Sequence, residues 1–214
     1  MEAFKAGHEE RQKPLPQMTW WTQPAKRPRQ RQRPLTIIEV CSWTMIVTRV
    51  AEGRGGWEGF QPITIESGYN LLNPDEVAQA KRDLERVNPD VLIFAWPCSP
   101  WTLMQNMNQR TADQKLRLEQ TRRAHMTILR FVEWCARRQA ANNKLFLGEN
   151  PLSSRAWNLL KFPEDFYHAR ADLCAFGLVA PDTGEPIRKP TRVVTNSRTA
   201  AQYLSVKCCG THSH

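Results

Sequence analysis

Residues 91–96, VLIFAW, are apolar on both faces of an extended chain and run straight into Pro97-Cys98-Ser99-Pro100. A strand with one face in water alternates apolar and polar residues, so an unbroken apolar run points to a strand covered on both sides, the central strand of a parallel sheet. The two prolines stop the strand, since each lacks an N–H and restricts the residue before it. Cys98 is thereby held in a stiff loop where a parallel strand delivers its carboxyl end.

The neighbouring segments supply the rest of such a sheet. LTIIEVC (35–41), FQPITIES (60–67) and KLFLGEN (144–150) read as further strands, with Gly53, Gly55, Gly56 and Gly59 breaking the chain between the first two. Asn73 is an N-cap, with Pro74 at the first helical position and Glu76 in capping-box spacing, for a helix running to about Val87. Thr111 and Gln114 form a second capping box. It opens a long helix ended by Asn142-Asn143, with Leu116, Ile128, Leu129, Phe131, Val132 and Cys135 expected on its buried face. ARADLCAFGLV and KPTRVVTN flank the turn sequence Pro181-Asp182-Thr183-Gly184 and read as an antiparallel hairpin at the sheet's edge. The expected fold class is α/β: a Rossmann-like, mostly parallel sheet with helices on both faces and a C-terminal antiparallel hairpin.

Charge divides the chain further. Residues 1–34 carry a net +5 and residues 185–214 a net +4, which account for the whole formal charge of +9 and leave the middle neutral. The run Lys26, Arg27, Arg29, Arg31 and Arg33, interleaved with Pro and Gln, has no apolar periodicity. It reads as a disordered basic arm, suited either to neutralising phosphates and nuclear import or to no more than solvation. The expected organisation is an arm at 1–34, an α/β domain at 35–205 and a Cys/His tail at 206–214. No apolar stretch approaches the roughly 20 residues that span a bilayer, and the N-terminus lacks a signal-like apolar core. An intracellular chain, with its six cysteines as free thiols, is therefore expected.

In open α/β sheets, chemistry gathers in the loops after the carboxyl ends of the strands. Glu66, Cys98 and Glu149 each follow such a strand. A cysteine fixed in a strand-end loop can present a thiolate, although a lone cysteine is more often a small buried hydrophobe.

Pro97-Cys98-Ser99-Pro100 followed by an aromatic resembles the Pro-Cys loop of the DNA cytosine-5 methyltransferases, and Glu149-Asn150-Pro151 is similar to their Glu-Asn motif. The resemblance covers roughly residues 35–160. It implies that Cys98 is a nucleophile adding to carbon 6 of a flipped cytosine, with Glu149 binding the ring at N3 and the amino group. It implies S-adenosylmethionine as methyl donor, with Glu66 at the ribose hydroxyls and Asn70, Leu71 and Pro97 near the cofactor. DNA is the implied partner, contacted by the basic arm and by Arg188 and Arg192, whose spacing departs from the family's Gln-x-Arg-x-Arg. The stretches from GYNLLNP to KPTRVVTNS also resemble methylase-like segments of mobile-element polyproteins.

The first turn, residues 41–45, contains no glycine, where the family has a glycine-rich turn that admits the cofactor. Weak or absent cofactor binding is therefore expected. The alternative function is a non-catalytic nucleic-acid-binding module with a degenerate methyltransferase fold. In the tail, Cys208, Cys209, His212 and His214 are ligand types that zinc takes, but their spacing is not that of a finger, and a frayed tail without metal is the expectation.

Overall fold

The computed structural model describes residues 33–42, 44–107 and 111–214; most of the basic arm, including Lys26, Arg27, Arg29 and Arg31, lies outside them. The chain divides into two units, Met1–Arg33 and Pro34–His214, and the second is the α/β body. In order it contains β1 (Leu35–Val40), α1 (Ile46–Gly53), β2 (Trp57–Gly59), α2 (Pro74–Val87), β3 (Val91–Ala95), α3 (Met104–Met107), α4 (Ala112–Ala141), β4 (Leu145–Pro151), β5 (Tyr167–Asp172), β6 (Pro190–Thr195) and α5 (Arg198–Leu204). The six-stranded sheet has the order β2-β1-β3-β4-β6-β5. The first four strands in that order are mutually parallel, and β6 runs antiparallel to both its neighbours.

The α/β class and mostly parallel sheet are as expected, and the C-terminal pair is antiparallel. One detail differs: the reversed strand is not the edge. β6 inserts between β4 and β5, so β5 takes the edge and points the same way as β4. Two antiparallel strands read alike from sequence whichever of them docks on the sheet. The docking is pinned by Asn196, whose side chain accepts from the Phe146 N–H at 2.9 Å and donates to the Lys144 carbonyl at 2.7 Å.

The second strand also departs from its expected span. Regular pairing is confined to Trp57–Gly59, because Pro62 has no N–H to continue a ladder. The chain nevertheless stays beside β1: Phe60 donates to Ile37, Ile63 to Glu39, and Cys41 to Ile63, all backbone to backbone at 3.0–3.1 Å.

Both faces of the sheet are covered. Ile38, Val40, Leu92, Phe94, Trp96 and Phe146 pack with Val77, Ala80 and Leu84 of α2 and with Ile128, Leu129, Phe131, Val132, Cys135 and Ala136 of α4. Leu147, one residue from Phe146 and so on the opposite face, joins Ala169 and Val193 beneath Ala201 and Leu204 of α5. Leu116, expected on the buried face of α4, is exposed; the buried stretch of that helix begins only at Ile128. The Asn73 cap forms, accepting from the Asp75 N–H, but Glu76 reaches the Asn70 N–H and the Asn73 amide instead of closing a capping box. Among the described residues no helix is long and apolar enough to cross a membrane.

Gly148 shows how tightly β4 is packed just before Glu149. A Cβ there would lie 2.9 Å from Phe146 Cε1 and 3.0 Å from Trp96 Cζ3 and Val194 Cγ1. Two of these atoms are on bulky ring systems inside the core, so the neighbours cannot swing away. Gly148→Ala is expected to cost about 1–3 kcal/mol, measured by urea unfolding, as overpacking of a filled interior does.

Candidate active site

Parallel β1, β3 and β4 bring three strand-end loops to one end of the sheet. The Pro-Cys loop and the Glu-Asn motif are adjacent, because β3 pairs with β4 in a register that sets Ala95 opposite Glu149. Three residues beyond Ala95 the chain reaches Cys98. The two motifs are also joined directly: Asn150, 1% exposed, donates from Nδ2 to the Trp96 carbonyl at 2.6 Å. Asn150 thus ties the backbone ahead of Cys98 to the strand that carries Glu149.

Cys98 itself is half-buried and sits at the head of a short 3₁₀ turn, Ser99–Trp101. Its carbonyl accepts from the Trp101 N–H at 2.8 Å, and Arg122 of α4 donates to the Pro100 carbonyl at 2.9 Å. Trp96 and Trp101 are buried on either side, with Trp96 edge-on to Trp157 at 4.9 Å between ring centroids. The loop is therefore held by two aromatic anchors while its thiol stays outside the core. The other strand-end cysteine, Cys41, is a poor nucleophile: burial, then the nearby Glu66 charge, push its thiol up to about 12.

Glu149 is half-buried, and that desolvation raises its carboxyl above the ordinary range, partly opposed by the Lys189 ammonium. A carboxyl that keeps its proton more readily can donate to a ring nitrogen. Behind it, Arg192 lies opposite Asn150 in the β4–β6 register, with its guanidinium 5.2 Å from the Trp157 ring centre. Arg188 is elsewhere, 3.7 Å from Asp172. The two arginines expected at the phosphates thus have different partners, and Arg192 is the one opposite the motif in the sheet.

Next to the Pro-Cys loop, which contributes Pro97 to its wall, is a cavity of about 350 Å³. Glu66, Asn70, Leu71 and Pro97 all line it, together with Cys41, Tyr69, His125 and Ile128. Its size falls in the range of small-molecule sites. Glu66 is exposed at its mouth, in a turn rigidified by Ser67, whose hydroxyl accepts from the Thr64 N–H. His125 was not foreseen, since the pattern of a long helix does not show which of its polar residues faces a cavity formed with distant loops. Its Nδ1 is buried without a hydrogen-bond partner among the described residues, and burial lowers its pKa, favouring the neutral ring.

The glycine-free turn after β1 has an unexpected backbone. Cys41 and Met45 both adopt left-handed conformations, with φ of 58° and 48°. Such positions favour glycine, and a side chain there costs roughly 1–2 kcal/mol. The turn is held by Glu39, 2% exposed, which accepts from the Thr48 N–H at 2.7 Å and its hydroxyl at 2.8 Å. The bend a glycine would favour is present, but with side chains attached and Cys41 lining the cavity.

The C-terminal tail is not frayed. Asp172 donates its N–H to the Val206 carbonyl at 2.9 Å and accepts from the Cys208 N–H at 3.0 Å. Cys208, His212 and His214 come together there with Cys174, a residue the sequence did not associate with the tail, whereas Cys209 stays out of the group. Among known proteins, no family model and no curated sequence matches this chain.

Proposed function

We propose that this protein is a cytosine-5 methyltransferase-like domain acting on DNA, with Cys98 as the nucleophile and Glu149 as the acid that activates the base. The observation that carries the reading is the junction of its two motifs: adjacent parallel strands carry Cys98 three residues past the end of β3 and Glu149 near the end of β4, and Asn150 of β4 bonds to the backbone ahead of Cys98. In the proposed chemistry the Cys98 thiolate forms a bond to carbon 6 of an extruded cytosine. The electron pair of the 5,6 double bond moves toward carbon 5 and the ring, while Glu149 gives a proton to N3. Carbon 5 then takes an electrophile; loss of its proton with departure of the thiolate, and return of the N3 proton to Glu149, restores the ring.

Glu66, Asn70, Leu71 and Pro97, all on one cavity, would hold S-adenosylmethionine, with the Glu66 carboxylate at the ribose hydroxyls. When bound, that group supplies the methyl. The polar mouth and apolar floor suit its adenosine part, and the unpartnered His125 Nδ1 offers one more contact. Glu66→Ala is expected to weaken binding of S-adenosylhomocysteine about tenfold or more in calorimetry, the scale of hydrogen bonds to a charged acceptor. Unchanged affinity would remove Glu66 from the site. The basic residues of the arm, with Arg192, would contact the DNA backbone, and the arm would direct the protein to the nucleus.

One observation favours a second reading, a non-catalytic nucleic-acid-binding module: the left-handed positions of the turn that a cofactor must approach are held by Cys41 and Met45 instead of glycine, and Cys41 lines the cavity. Salt-dependent DNA binding that ignores Cys98→Ser, with no reaction at cytosine, would select it.

A further inference from the structure

We infer that Cys174, Cys208, His212 and His214 form a structural zinc site that fastens the C-terminal tail to the turn after β5. One ligand atom from each of the four lies within 4.8 Å of every other. The Cys208 Sγ is 3.5 Å from His212 Nε2 and 3.2 Å from His214 Nε2. A tetrahedral zinc with ordinary Zn–S and Zn–N bonds needs sulfur-to-nitrogen edges of about 3.6 Å, so the two Cys208 edges are already close to that length and the four atoms need only small shifts to enclose the ion.

The surroundings are those a zinc ligand set requires. His214 turns Nδ1 to the Pro186 carbonyl at 3.3 Å, and a proton placed there leaves the Nε2 lone pair facing the cluster. Gly210 donates its N–H to the Cys208 sulfur at 3.3 Å, which orients that sulfur, and its φ of 74° is the conformation that lets the short Cys208-to-His212 loop fold back. The two imidazoles stand edge to face at 82°, converging by their Nε2 atoms instead of stacking. Two thiolates and two neutral imidazoles carry a charge of −2, which a divalent ion cancels, and a mixed sulfur and nitrogen tetrahedron selects zinc over oxygen-seeking cations.

Cys209 is a built-in control. Its sulfur is exposed and hydrogen-bonded with Thr211 Oγ1 at 2.9 Å, and it lies 4.0 Å from the Nδ1 of His212, whereas Cys208 meets that ring at Nε2. The site joins the 3₁₀ turn Leu173–Phe176 to the tail. It therefore braces the end of β5, whose partner β6 carries Arg192 and follows Lys189 beside Glu149.

The test is metal analysis of the full chain purified with reductant and without chelator, followed by cobalt substitution. The expected result is about one zinc per chain, falling to about a tenth or less in Cys174→Ser and His214→Ala and unchanged in Cys209→Ser. Cobalt should give the absorption of a tetrahedral thiolate complex in the parent and in Cys209→Ser only. His214 is exposed, so His214→Ala reports on the site even if Cys174→Ser does not fold. Sub-stoichiometric zinc with no such cobalt spectrum would overturn the assignment. So would loss of metal in Cys209→Ser, or a Cys174–Cys208 disulfide found by mass spectrometry. None of these readouts depends on any reaction at cytosine.

Discussion

Cys98→Ala is expected to abolish hydrogen exchange at carbon 5 of cytosine in DNA, followed as tritium release from 5-tritiated cytosine with no methyl donor present. Addition of the thiolate to carbon 6 makes carbon 5 basic enough to take a proton from water; on reversal either hydrogen can leave with expulsion of the sulfur. The exchange therefore reports the Cys98 and Glu149 chemistry apart from the cofactor. The loss should be at least about 10³-fold, since removing a covalent nucleophile leaves only binding and polar stabilisation. The substitution should leave the fold intact, because Cys98 lies outside the core cluster and its loop is held by Trp96, Trp101 and the Arg122 bond to Pro100. Equal exchange by the parent and Cys98→Ala would remove the nucleophile.

Glu149→Gln is expected to slow the same exchange by about 10²–10⁴-fold, the range of a positioned general acid. Its effect on stability should have the opposite sign. Burial raises the Glu149 pKa above its ordinary 4.5, so the folded protein holds this proton more tightly than the unfolded chain does. The stability so contributed is complete below the ordinary pKa and is lost as pH rises through the raised one. At pH 7 the half-buried carboxylate is a net cost that an amide does not carry. Glu149→Gln should thus melt no lower than the parent at pH 7, and any gain should disappear as pH falls below about 4.5. A variant that loses both activity and stability at pH 7 would mean that the carboxylate serves the fold.

Much of this arrangement is legible in the sequence, and the reasons are local. The residues from Val91 to Phe94 are apolar on both faces, and the prolines around Cys98 end the strand chemically, so the loop announced itself. The caps at Asn73 and Thr111 are short-range hydrogen-bonding patterns, and both helices begin there. What stayed hidden depends on distant partners. The insertion of β6 beside β4 rests on Asn196 reaching across to Phe146 and Lys144, roughly fifty residues away in the chain. Cys174 meets Cys208 only because Asp172 pairs with the tail. The left-handed turn at Cys41 and Met45 was hidden for another reason: it uses residues that disfavour that conformation, and the buried Glu39 bonded to Thr48 holds it in place.

The measurement closest to the central claim is covalent trapping on DNA containing a cytosine analogue with nitrogen in place of carbon 5, whose carbon 6 is more electrophilic. Peptide mapping of the trapped complex is predicted to place the oligonucleotide on the sulfur of Cys98, with no adduct from Cys98→Ala. Absence of any adduct from the parent protein, or attachment at Cys41, Cys174 or Cys209, would contradict the account.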